Sequence, residues 1–197
     1  MNFSNLNYED EFFKGLDLSE TGVSGVTFES CTFRDCKFSE ISFRGCSFDA
    51  CCFIACDLNA AKLGMSKFED VHFEDCRLSG IDWTQVDYSE FIHDAPFAFE
   101  NCIMDYGSFF GLHLHAMIMR ECKLYEVDFR EADLFRADFS NSDLSQSIFR
   151  NSKLGQVNFV GAEHYSIDLT VNFIQGAKFS RDEAVSLLEY LEIILVD

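Results

Sequence analysis

No stretch of this 197-residue sequence is long and apolar enough to span a bilayer, and the polar opening from Met1 to Asp10 does not read as a secretory signal. Both absences set the expectation of a cytoplasmic protein with no membrane partner. Basic side chains are scarce. Fifteen Lys and Arg stand against 34 Asp and Glu, a formal net charge of −19. Such a chain repels phosphate, which argues against direct nucleic-acid binding. GxGxxG, Walker A, HExxH and GxSxG patterns are all missing, and so is any CxxC pair. Neither a cofactor, a metal site nor an enzyme is therefore expected. Proline and tryptophan occur once each, whereas phenylalanine occurs 23 times and cysteine nine times. An odd number of thiols in a reducing compartment argues against a disulfide framework. The length suits one domain, and 48% apolar content excludes a disordered acidic tail.

A repeat organises what is present. From Phe13 every fifth residue is large and apolar, through Leu18, Val23, Phe28, Phe33, Phe38, Phe43 and Phe48 to Trp83 and Tyr88. The series resumes one residue out of step at Phe99, continues through Met104, Phe109 and Leu114, and ends near Leu169. Two residues before each large position sits a small one: Cys31, Cys36, Cys46, Cys51, Cys56, Ala61, Ser66, Cys76, Cys102, Cys122, Ala132, Ala137. A period of five matches neither helix nor strand. A short extended segment puts residues two apart on one side, so each large residue and its small partner point inward together. The next pair is three steps away and would point outward unless the chain turned. A corner every five residues keeps all pairs inside, which predicts an all-β solenoid of coils stacked about 4.8 Å apart. Eight of the nine cysteines fall in the small inward slot and read as compact buried groups; Cys52 is expected outside. The jog between Phe91 and Phe97, containing Pro96, reads as a single-residue corner bulge.

Runs such as Cys31-Thr32-Phe33-Arg34-Asp35 and Ala137-Asp138-Phe139-Ser140-Asn141 resemble the A(D/N)LXX unit of pentapeptide-repeat proteins, over about Phe13 to Leu169. The resemblance implies a right-handed quadrilateral β-helix with four pentapeptides per coil. Segments at 106–114, 126–134 and 165–168 are similar to the Qnr, MfpA and albicidin-immunity branch. That implies a DNA mimic that dimerises, binds DNA gyrase and in some members topoisomerase IV, and counters a topoisomerase poison. An unbroken repeat, without projecting loops, places the chain nearer the MfpA or albicidin-resistance type. The alternative is a structural or signalling interaction module with another partner.

With twenty residues per coil, Glu29, Asp49 and Glu69 share a column, flanked by Asp70, Asp87 and Glu90. Asp128, Glu131 and Asp168 are expected to continue the same side beyond the jog. The side with Ser42, Arg44, Lys62 and Gly64 is poorer in acid. About eight coils give about 40 Å of rod, and a dimer carrying −38 has roughly one charge per 2 Å, against one per about 1.7 Å in duplex DNA. The competing reading is that acid merely keeps a Phe-rich rod soluble. His113 and His115 flank an inward Leu114 and read as an exposed, solvated pair. Carboxylates on a convex wall lack the pocket that acid–base catalysis needs. Residues 1–179 form the expected solenoid, and 180–197 the cap. Ser180 and Glu183 fit a capping box, with Ala184, Leu187, Leu188 and Leu191 at helical spacing. The resemblance implies that helix and tail pack against a second copy in a homodimer, with Leu187, Leu188, Leu191 and Ile194 as the contacts; the alternative is a helix that only plugs its own tube.

Overall fold

The computed structural model describes residues 3–88, 95–191 and 193. They form a right-handed, four-sided parallel β-solenoid of about eight turns. Each side of a coil is a strand of two to four residues or a single bridge, in register with the chain twenty residues away. Asn7–Glu9 pairs with Thr27–Glu29, Thr27–Glu29 with Ser47–Asp49, and Ser47–Asp49 with Lys67–Glu69, which defines the first face. The second face runs through Phe13, Phe33 and Phe53. Leu18, Phe38 and Leu58 follow on the third, and Val23, Phe43 and Leu63 on the fourth.

The large residues stack coil upon coil inside the tube. Phe13, Phe33, Phe53, Phe73 and Phe99 form one near-parallel column with ring centroids 5.1, 4.7, 5.0 and 5.2 Å apart. That spacing is the strand spacing, so each added coil brings its rings to contact distance of the last. Rings on adjacent faces meet edge to face, as Phe28 does with Phe33 at 5.3 Å. The small slot has a chemistry that the spacing alone did not reveal. The Cys51 thiol donates to the carbonyl of Phe28, one coil back and around the corner, and Cys56 does the same to Phe33. Ser66 and Ser142 use their hydroxyls identically, on Phe43 and Met119. The slot therefore accepts any small side chain and favours one with a weak donor. Burial pushes the Cys51 thiol up to about 12, so it stays protonated and inert. Cys52, as expected, is the one cysteine outside the core.

Each corner is made by a residue in the left-handed region, five apart along the chain: Asp10, Gly15, Glu20, Gly25, Ser30, Asp35, Glu40 and onward. Glycine takes few of these places. Ala50, Ala55, Ala60 and Met65 occupy consecutive corners with φ between 47° and 56°. The stacked rings and ladders hold the strain that L residues meet there.

One coil is longer than the rest. Val71–Glu74 pairs with Phe97–Glu100, and Arg77 and Asp82 bridge Ile103 and Ser108, all at a separation of 26. The chain thus gains six residues, not one, and the single-residue bulge is replaced by an insertion. A five-residue ladder cannot tell these apart, because both shift its phase by one. The six residues, 89–94, lie outside the described residues, as does the part of the loop-free reading that depended on them. A further consequence is that every later residue falls one face earlier than expected. Phe109 stacks beneath Trp83 on the fourth face, with centroids 5.6 Å apart, rather than beneath the first-face Phe68. Trp83 and Phe97, 4.9 Å apart, fill the widened coil.

The C-terminal end also departs from expectation. Phe149 bridges Ile167, eighteen residues on, so Ile167 rather than Leu169 is buried in the core. Register is regained where Lys178–Phe179 pairs with Asn158–Phe159. Ser180 does not form a capping box: its hydroxyl accepts the Gly161 N–H at 2.8 Å and so serves the preceding coil. Glu183–Leu191 is a 3-10 helix. A three-residue repeat aligns Ala184, Leu187 and Tyr190. Leu187 is consequently buried and Leu188 half-buried, while Leu191 is 42% exposed. Ile194 lies outside the described residues.

Met65, at a corner with φ 56° and exposed to solvent, tests the corner strain. Met65→Gly should raise unfolding stability by about 0.5–1 kcal/mol, the relieved left-handed strain less the added entropy of the unfolded chain. A lower midpoint in urea would show that the corner geometry is not a cost.

Candidate functional site

The register brings Glu9, Glu29, Asp49 and Glu69 into one column on the first face. Glu9 went unnoticed in the sequence, although it stands twenty residues before Glu29. Parallel pairing sets the rungs about 4.8 Å apart, compared with 3.4 Å between charges along one DNA strand. Asp70 takes the next corner, with φ 49°, and its carboxylate lies 3.3 Å from His72 Nε2. Asp87 extends the same face by one coil, its N–H donating to Ser66 O at 2.9 Å. Glu90 lies outside the described residues.

Like charges in register destabilise a ladder. The third face shows that this fold readily avoids the problem. There Asp17, Lys37, Asp57 and Arg77 alternate in sign, with Lys37 3.8 Å from Asp17 and Arg77 4.0 Å from Asp57. The first face repeats one sign four times, at the position after the large residue of a three-residue strand, where the third-face charges stand before it at single bridges. Its column is not something the solenoid requires.

The other expected acids do not join it. Asp128 and Asp168 stand on the fourth face, beside Phe129 and Ile167, and Glu131 makes the following corner. The cause is the six-residue insertion, which moves each of them by one face. Asp128 is also occupied. Its carboxylate accepts the Arg130 N–H at 3.0 Å and holds the guanidinium at 2.9 and 2.7 Å. Asp168 closes a turn by accepting the Thr170 N–H and hydroxyl at 2.8 and 2.7 Å. These bonds hold the Asp168 carboxyl below the usual range. Asp138, Asp143 and Asp17 cap their turns in the same way.

Below the insertion the first face is charge-balanced. Asp133 is buried, with Lys153 Nζ at 2.8 Å, His115 Nε2 at 3.1 Å and His113 Nδ1 at 3.7 Å. The two histidines face outward around the buried Leu114, as expected, His113 exposed and His115 half-buried, and they bracket this carboxylate. Burial raises the Asp133 pKa, and the contacts from Lys153 and His115 more than reverse this, leaving it lowered. Among the described residues no group of three or more His, Cys, Asp or Glu could hold a metal ion. No helix among them is long and apolar enough to cross a membrane. At the far end, exposed Val185, Leu191 and Ile193 form an apolar fringe on the C-terminal segment.

Two family models match the chain, one described as a pentapeptide repeat region over residues 26–106, the other as pentapeptide repeats over 119–151. Together they span more than half of it. No curated protein sequence matches. Among solved structures, a trypsin-treated form of QnrB1, a plasmid-mediated fluoroquinolone resistance protein, is 21% identical with a TM-score of 0.63, covering 94% of this chain and 100% of its own. A second trypsin-treated form is 21% identical with a TM-score of 0.58, covering 97% and 98%. HetL, from the cyanobacterium Nostoc sp. strain PCC 7120, is 18% identical with a TM-score of 0.39, covering 90% and 94%. At these identities the likeness is one of fold.

The two charge columns make opposite predictions. Changing Glu29, Asp49 and Glu69 together to Gln should leave thermal stability unchanged or raise it by a few tenths of a kcal/mol per rung, whereas Lys37→Glu should lower it by a similar amount. A loss of stability in the triple variant would mean that the column serves the fold. The Asp133 carboxyl, with its pKa below that of the unfolded chain, contributes fully above about pH 4, and that contribution fades as pH falls through its folded value. Asp133→Asn should accordingly flatten the acid limb of a stability–pH profile; an unaltered limb would exclude the cluster as its source.

Proposed function

The chain belongs to the pentapeptide-repeat family, and on that premise we propose that it is a non-enzymatic DNA mimic that binds bacterial DNA gyrase and counters a gyrase poison. The name of QnrB1 supports a fluoroquinolone as one candidate poison. The observation that carries the reading is the single-sign column Glu9, Glu29, Asp49 and Glu69, kept where the third face alternates. A row of carboxylates at strand spacing offers a basic saddle regularly spaced anions on a rigid support, with little conformational entropy left to lose. Asp70 and Asp87 extend the contact. Asp128, Glu131 and Asp168 are left out, because they stand elsewhere. The footprint is therefore the N-terminal half of the rod rather than its full length. In a dimer joined through the exposed fringe of the C-terminal segment, the two acidic halves would lie at opposite ends, as far apart as the rod allows. A different basic protein partner, with topoisomerase IV first among them, would use the same column.

Reversing Glu29, Asp49 and Glu69 to Lys together should abolish gyrase capture at physiological salt, while reversing Asp128 and Glu131 should leave it nearly intact. Wild-type binding should fall steeply with added salt. Capture that survives the first reversal would remove the column as the contact. For the dimer, Leu191→Glu is the informative change, since Leu187 belongs to the core. Sedimentation should show the mass halved with the fold retained; an unchanged mass would place the contact elsewhere.

A further inference from the structure

The step from Phe149 to Ile167 is eighteen residues, two fewer than the usual twenty. The C-terminal 3-10 helix is tied to this coil where the Tyr190 hydroxyl hydrogen-bonds Ser166. Between them is a cleft of about 390 Å³ on the fourth face. Its walls are Ile148, Val171 and Tyr190, all partly exposed, and its polar groups are Arg150, Asp168 and Gln146. The size is that of a small-molecule site.

Arg150 is the arginine that lines the cleft. Arg130 is clamped on Asp128, and Arg120 on Asp138 at 2.8 Å. Arg150 makes no ion pair within 4.0 Å among the described residues; its charge reaches Asp168, one coil away, and helps hold that carboxyl low, while its guanidinium donors line the cleft. Asp168 gives one oxygen to Thr170, and its second oxygen accepts no bond among the described residues. The two charged groups sit a coil apart on the same wall, with apolar surface between cleft and helix. A ligand with one charge would satisfy one of them and be repelled by the other. We propose that this cleft binds a small aromatic zwitterion, its carboxylate on Arg150, its ammonium on Asp168, and its ring against Ile148, Val171 and Tyr190.

This site is independent of the acidic column and of gyrase. The test uses the full chain and three probes with the same ring: L-tryptophan, indole-3-propionate and tryptamine, measured by calorimetry with thermal unfolding as a fold control. L-Tryptophan should bind at least tenfold more tightly than either singly charged probe. Arg150→Gln should weaken L-tryptophan about tenfold. Asp168→Asn keeps an oxygen for Thr170; it should weaken L-tryptophan similarly and strengthen indole-3-propionate. Arg130→Gln, outside the cleft, should change nothing. Equal affinities for the three probes, no binding of any at millimolar concentration, or indifference to Arg150→Gln would each overturn the proposal. So would binding that disappears as the chain self-associates, because a second copy would then be the occupant.

Discussion

Parallel pairing of coil on coil, at one strand spacing per turn, is the constraint from which the rest of the molecule follows. It places identical positions of successive coils in direct contact, inside and outside alike. Inside, it turns a ladder of phenylalanines into columns of rings about 5 Å apart, and a ladder of small residues into a line of donors aimed at the carbonyls of the preceding coil. Outside, it turns the choice of charge at one position into a choice repeated along a face.

That outer amplification separates the two ends of the rod chemically. Above the insertion the column Glu9, Glu29, Asp49 and Glu69 carries one sign, with Lys67 in the neighbouring row of the same face; below it, Asp133 gathers Lys153 and two histidines and the charge closes on itself. The third face shows the arrangement that stability alone favours, with opposite charges stacked. A column that departs from that arrangement is the feature on which the proposed partner contact rests. The aspartates that cap turns belong to the fold, and counting them as part of an anionic surface overstates it.

The strain at the corners has the same origin. A coil of four short sides needs four left-handed residues, and the chain places alanine, glutamate and even methionine there instead of glycine throughout. Each is held because both its neighbours in sequence and its neighbours in the stack are already fixed. The interior thus supports a backbone that no single coil would hold alone.

The solenoid, the inward pairs, the buried cysteines and the outward Cys52 were legible in the sequence, because a five-residue period over so many copies admits few physical solutions. The Glu29, Asp49 and Glu69 column was legible for the same reason, being a matter of counting twenty. Which acids lie beneath that column was not. Phase is read modulo five, so one inserted residue and six look alike, yet they differ by a quarter of a turn and carried Asp128, Glu131 and Asp168 to another face. The C-terminal segment was misread for a different reason. Apolar spacing over nine residues fits a 3.6 repeat and a 3.0 repeat almost equally well, and only packing against the last coil decided that Leu187 is buried while Leu191 stays exposed. Local repetition thus determined what each residue does within its own coil. The contacts between coils, which depend on total residue count rather than period, decided which residues meet.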